Sequence, residues 1–259
     1  VRDIGVLQPA QPGKDLRLSI DLRLQYLQHR ELQRAVTALG AASGTVVTLD
    51  SHTGEVLAMV NYPVYNPNGD KAGSPDSMRN RAITDMYEPG STMKSFTLVA
   101  ALESGRFTPD TVIDTSPGRI RVGPKVYPDP RNYGPITVTR VLQKSSQVGV
   151  TKVALNLGHE PIWEVFNRFG IGQAPDTGFP GESAGSLPNR PRWYATDKVS
   201  LAFGYGITAT PLQLAHAYSV FANDGVQQPI SLLALEGAVP QGKRVISRET
   251  AAQILAMLH

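Results

Sequence analysis

Glu88-Pro89-Gly90-Ser91-Thr92-Met93-Lys94 places a helix break directly ahead of a serine and a lysine three residues apart. On a helix, positions i and i+3 share a face, so the lysine amine can reach the serine hydroxyl. Serine is a poor nucleophile until a base lies beside it. Lysine becomes such a base when burial and neighbouring positive charge favour its neutral form. A helix starting at Ser91 also turns unpaired backbone N–H groups and the positive end of its dipole toward negative charge developing there. The letters alone are common, and a capped helix with an exposed lysine would share them.

The helical period continues downstream. Met93, Phe96, Val99 and Ala100 fall on one face of a helix over Ser91–Glu103, and Gly105 stops it. Lys144-Ser145-Ser146-Gln147 follows, with Ser145 54 residues after Ser91. It lies between a helix capped by Thr137 that runs to about Lys144 and another from about Gly149 to Leu157. A short loop there can hold a hydroxyl and an amide rigidly, although a polar turn capping the next helix accounts for it too. Pro161 suits the first turn of a helix ending near Gly170. Thr210-Pro211 opens another, with Leu214, Ala217, Tyr218 and Phe221 on its buried side. Ser247 caps a last helix whose Ala251, Ile254, Leu255 and Leu258 stripe needs a partner.

Upstream, Asp21 caps a helix with Leu32, Ala35, Val36 and Leu39 on one face and Gly40 at its end. Thr45–Asp50 and Glu55–Val60 alternate as a β-hairpin joined through Ser51, His52, Thr53 and Gly54. Residues 1–20 lack a period and read as a lead-in segment. Residues 62–80 read as a long loop, 106–136 as loop and short strand, and 171–192 as irregular chain. One hairpin is marginal alone, so more strands are expected beyond His259.

Composition removes several classes. The 259 residues hold 25 Lys+Arg against 22 Asp+Glu, a net charge of +3 too slight to imply nucleic acid. Arg119, Arg121 and Lys125 lack interleaved aromatics and read as a solvated face. Zero cysteine excludes disulfides, Cys-ligated zinc and thiol catalysis. His29, His52, His159, His216 and His259 never pair at metal spacing, and no metal or cofactor is expected. The longest apolar run, Val199 to Phe221, is broken by Gly204, Gly206, Pro211, Gln213 and His216 and is read as core. Gly181-Glu182-Ser183-Ala184-Gly185 matches a nucleophile elbow, but that motif needs a strand before it and a helix after it. The glycines and prolines around it predict a loop.

Preceded by Met78-Arg79-Asn80-Arg81-Ala82 and followed by Lys144-Ser145-Ser146-Gln147-Val148-Gly149-Val150, the Glu88–Lys94 stretch resembles the penicillin-binding proteins, above all the division-specific class B members. Further matches are Thr53-Gly54-Glu55-Val56-Leu57-Ala58-Met59, Tyr65-Asn66-Pro67-Asn68, Phe203-Gly204-Tyr205-Gly206 and Thr210-Pro211-Leu212-Gln213-Leu214. Together they cover nearly the whole chain in order. The resemblance implies an α+β fold of the penicillin-binding and serine β-lactamase type, an antiparallel sheet flanked by helices beside a mostly helical lobe. It implies that residues 1–20 end a non-catalytic pedestal or linker. Residues 21–259 would then form a transpeptidase domain, C-terminally incomplete.

It further implies a peptidoglycan D,D-transpeptidase of septal wall synthesis, acylated by β-lactams. Ser91 would attack the penultimate D-Ala carbonyl of a stem peptide, and Lys94 would take its proton. Ser145 would relay a proton to the departing D-Ala, Gln147 would contact substrate, and a Ser91 N–H would form half of the oxyanion hole. Which of the lysine and the second serine is the acylation base stays open. Implied partners are stem peptides, β-lactam antibiotics and divisome membrane proteins including a glycosyltransferase, with no nucleic acid and no cofactor. The implied location is the periplasmic face of the inner membrane, through an N-terminal anchor outside this chain.

Two departures stand out. The family's second motif is Ser-x-Asn, whereas Gln147 keeps the amide and adds a methylene. No Lys-[Thr/Ser]-Gly triplet occurs in the chain. In relatives it lies on a strand that supplies the second oxyanion N–H. A non-catalytic divisome scaffold with a decayed site, or a serine β-lactamase or β-lactam sensor, are therefore the alternatives. The latter would need a water route to clear the acyl-enzyme, and no acidic residue is spaced for it.

Overall fold

Asp21 opens the first element by accepting hydrogen bonds from the N–H groups of Arg23 and Leu24, and Gly40 closes it in the left-handed conformation. Between them lies α1, Leu22–Leu39, in a computed structural model that describes residues 11–69 and 75–259. The lead-in residues 1–10 lie outside the described part. Residues 11–20 follow without helix, touching the body through a bridge between Leu18 and Leu233.

Strands β1, Gly44–Leu49, and β2, Val56–Tyr62, pair antiparallel from Gly44↔Tyr62 to Thr48↔Ala58. The register slips by one residue between Thr48 and Leu49. Along β2 the alternation holds, with Val56, Ala58 and Val60 buried. Residues 62–80 hold the short α2, Pro75–Met78, and 70–74 of that expected loop are not among the described residues. Next comes α3, Arg81–Thr84, which buries Ala82 and Ile83 against Val56 and Leu212.

A 3-10 turn over Gly90–Met93 runs directly into α4, Lys94–Glu103. The α-helix thus begins at Lys94, one turn later than expected. Every residue of α4 from Lys94 to Ala101 is buried. This corrects the one-sided face read from the sequence. A helix enclosed on all sides is usually apolar all round, whereas α4, the central helix of the larger core, buries Lys94, Ser95 and Thr97 among its apolar residues.

The stretch read as loop with a short strand holds β3, Val112–Asp114, β4, Arg119–Val122, β5, Lys125–Pro128, and β6, Pro135–Thr137. β4 pairs with β5 and β3 with β6, each antiparallel. Then follow α5, Val138–Gln143, α6, Gln147–Leu157, and α7, Glu160–Arg168. Helix α8, Ala195–Ala202, is absent from the sequence reading, because its cap is Tyr194. The Tyr194 N–H bonds Asp197 Oδ2 at 3.1 Å and the Tyr194 carbonyl accepts from the Asp197 N–H at 3.0 Å, so the helix starts on a residue outside the usual cap set.

Helix α9, Pro211–Ala222, begins at Thr210, whose hydroxyl accepts from the Gln213 N–H while Gln213 Oε1 accepts from the Thr210 N–H. It lies between the hairpin and the helices, touching β1 on one side and α10, Arg248–Leu258, on the other. The short strands β7, Val226–Gln227, and β8, Lys243–Arg244, pair between them. Helix α10 buries Thr250, Ala251, Ile254 and Met257 against α4, α5 and α9. Leu255 and Leu258 are exposed, so the expected stripe is out of phase by one residue at its end. Likewise Val36 is the one buried residue of α1, and Leu39 is 81% exposed, because α1 meets its neighbours β1 and β2 on one side.

Candidate active site

Three parts of the fold meet at Lys94. The 3-10 turn carries Ser91 at the surface, and Lys94 starts the buried helix behind it, 1% exposed. The turn between α5 and α6 carries Ser145, whose φ of +50° is left-handed. For a residue other than glycine that conformation costs about 1–3 kcal/mol and persists only when the surroundings enforce it. Here Lys94 Nζ donates to the Ser145 carbonyl at 2.6 Å and to Ser145 Oγ at 2.9 Å. The amine expected to serve Ser91 bonds, across 51 residues of sequence, the second serine.

Ser91 sits on the same turn, with its carbonyl accepting the Lys94 N–H. Its hydroxyl forms no hydrogen bond with a described residue and is exposed. Gln147 is the first residue of α6, and its side chain is likewise unbonded among the described residues. The Gly181–Gly185 segment is a loop, as read: Ser183 Oγ is tied to the Thr84 carbonyl at 2.9 Å.

Burial pulls the Lys94 amine down from 10.5 to about 8, and the negative charge of Asp129 acts in the opposite direction. A ring face, Phe203, lies 5.3 Å from Nζ. The amine is thus brought within reach of neutrality near physiological pH while remaining hydrogen-bonded.

The sequence reading missed four supports. Asp129, 8% exposed in the loop after β5, accepts from Ser146 Oγ and from the Gln147 N–H, each at 2.6 Å, and from the Val148 N–H at 3.2 Å. Tyr218 of α9 donates to the Thr92 carbonyl at 2.7 Å, bracing the turn that carries Ser91. Gly204 lets that turn approach: its carbonyl accepts from the Gly90 N–H at 3.2 Å, and a Cβ there would meet Gly90 O at 2.4 Å. Glu88 Oε1 accepts from the Gly206 N–H at 2.8 Å and lines a cavity of about 250 Å³ with Lys125, Arg190, Trp193 and Tyr205. Phe203-Gly204-Tyr205-Gly206 is one of the stretches that carry the resemblance, and its two glycines are the signal of the close approach. Asp129 has no such motif. Among the described residues no cluster of three His, Cys, Asp or Glu could hold a metal ion, and no helix is long and apolar enough to cross a membrane.

Comparison with known proteins bears on the family and the fold. Residues 44–259 match the family described as the penicillin binding protein transpeptidase domain. A probable peptidoglycan D,D-transpeptidase PbpC of Pseudomonas aeruginosa is 41% identical over 258 residues, covering 100% of this chain and 46% of that protein. The peptidoglycan D,D-transpeptidase FtsI of Escherichia coli K12 is 41% identical over 249 residues, covering 96% of the chain and 42% of the relative. The chain thus spans less than half the length of these relatives. The apo transpeptidase domain of Burkholderia pseudomallei penicillin-binding protein 3 superposes with a TM-score of 0.85 at 37% identity, covering 96% of this chain and 71% of that one. The α+β architecture expected from the sequence is that of these neighbours, and the chain belongs to the penicillin-binding protein transpeptidase family.

Proposed function

We propose that this chain provides the serine centre of a peptidoglycan D,D-transpeptidase that works through an acyl-serine intermediate. The observation that carries the reading is the Lys94 amine, buried, bonded to Ser145 and pulled down to about 8, one helical turn from an exposed serine. Ser91 Oγ attacks the carbonyl of the penultimate D-Ala and expels the terminal D-Ala. The Ser91 proton passes to the Lys94–Ser145 pair, and Ser145 Oγ delivers a proton to the leaving amine. An amine of a neighbouring stem peptide then attacks the ester, forming the crosslink and freeing Ser91. Gln147, at the rim with an unbonded amide, contacts the peptide backbone of the substrate.

β-Lactams enter the same chemistry, with Ser91 opening the ring and keeping the acyl group. The names of the Pseudomonas and Escherichia relatives support the activity. Septal synthesis, divisome partners including a glycosyltransferase, and the periplasmic face of the inner membrane follow from the likeness to FtsI as further parts of this proposal. Residues 1–20 as the end of a pedestal and 21–259 as the catalytic domain belong to it too.

The test is the intact mass of the full-length protein after incubation with a penicillin. A stable adduct of one drug molecule is expected, and Ser91→Ala should abolish it. No adduct on the wild-type protein would sink the serine-centre reading.

A further inference from the structure

We infer that Asp129 is a positioning residue of the Lys94–Ser145 pair, fixing the turn that carries Ser145 through three hydrogen bonds from Ser146, Gln147 and Val148 while its negative charge acts on the lysine. This rests on the serine-centre reading above and adds a residue that the motifs do not contain.

The geometry is specific. Asp129 follows β5, and its own N–H bonds the Gly118 carbonyl at 2.9 Å, which pins the loop to the start of β4. One carboxylate oxygen accepts from Ser146 Oγ; the other accepts from the Gln147 and Val148 N–H groups at the start of α6. Ser146 Oγ in turn accepts from the Gly149 N–H at 2.9 Å. The residue directly before this anchored trio is Ser145, held in a left-handed conformation and bonded through Oγ and carbonyl to Lys94. A bidentate, buried carboxylate is the element that makes that conformation stationary.

Charge acts alongside these contacts. Asp129 is the charge that acts on Lys94, and it favours the ammonium form against the burial that favours the amine. Of the other groups around the pair, Tyr218 is turned to Thr92 and Ser95, and Lys144 beside Ser145 is exposed. Phe203 presents a ring rather than a charge. Asp129 therefore offsets part of the effect of burial on Lys94. A lysine that is charged at rest and neutral on demand can both take and return a proton.

The experiment measures the acylation rate of the full-length protein by a penicillin as a function of pH, together with its melting temperature. Asp129→Asn keeps the size and one acceptor oxygen but removes the charge. Its rising limb should move to lower pH by about 1 unit. Ser146→Ala keeps the carboxylate and removes one of its three ties. It should slow acylation by about tenfold or more with the limb where it was. An Asp129→Asn profile that overlays the wild type along the pH axis would overturn the inference. So would a slowing by one constant factor at every pH that tracks the fall in melting temperature, since Asp129 would then be a helix cap only. If the wild-type protein takes no label at all, the serine-centre reading itself fails, which is a different result from either.

Discussion

A lysine withdrawn from water releases its proton more readily than one on a surface, and burial does this to Lys94. With its pKa near 8, about a tenth of the molecules carry the neutral form at pH 7. The neutral fraction rises about tenfold per pH unit below 8 and saturates above it, so the acylation rate by a penicillin should climb from about pH 6 and level off above about 8. A rate flat between about pH 6 and 9 would mean that the lysine does not titrate on the reaction path. Ser91, Lys94 and Ser145 were legible because serine and lysine one turn apart, followed by a serine-rich turn, carry their geometry in local spacing. Asp129 was not, because it lies in a loop that no period describes and its hold on Ser146 spans 17 residues, across β6 and α5.

Elements were legible where their ends are local. Asp21, Thr137, Thr210 and Ser247 all accept hydrogen bonds from the N–H groups they were expected to cap. Which face each helix buries was less legible, since that depends on neighbours distant in sequence. Helix α10 turns Met257 inward in place of Leu258, and α4 has no outward face from Lys94 to Ala101. The contact between the Phe203–Gly206 stretch and the Ser91 turn is of the same long-range kind, with Gly204 at φ +76° as its centre. Gly204→Ala forces a Cβ onto the backbone oxygen of Gly90 in a conformation that L side chains avoid. The expected cost is about 2 kcal/mol or more, read as a melting temperature lower by several degrees. Acylation should also slow beyond what the loss of folded protein explains, because Gly90 adjoins Ser91, the proposed nucleophile. An unchanged melting temperature would show that the turn can retreat without strain.

At the scale of the molecule, the helix that begins with Lys94 and the main core are the same object. Phe96, two residues past Lys94, packs against Phe169, Tyr218 and Phe221 with ring centroids 4.9, 5.1 and 5.3 Å away, and against Phe166 at 6.4 Å. Phe96→Ala should cost about 3–5 kcal/mol by opening a cavity among those rings. Denaturant unfolding would measure that loss. Acylation should fall along with it, since Tyr218 braces both the core ring and the turn bearing Ser91. Destabilisation with an intact acylation rate would mean that core and site are mechanically separate. A count of protons shows what the pairing of Lys94 with Ser145 entails. A neutral amine has two hydrogens and one lone pair, and Ser145 supplies two acceptors, its carbonyl and its hydroxyl oxygen. With both hydrogens committed, the lone pair has one direction left, and the Ser145 hydrogen, unneeded by the lysine, is free to be donated elsewhere. The same two contacts that hold the side chain still thereby decide which of its valences is open for exchange.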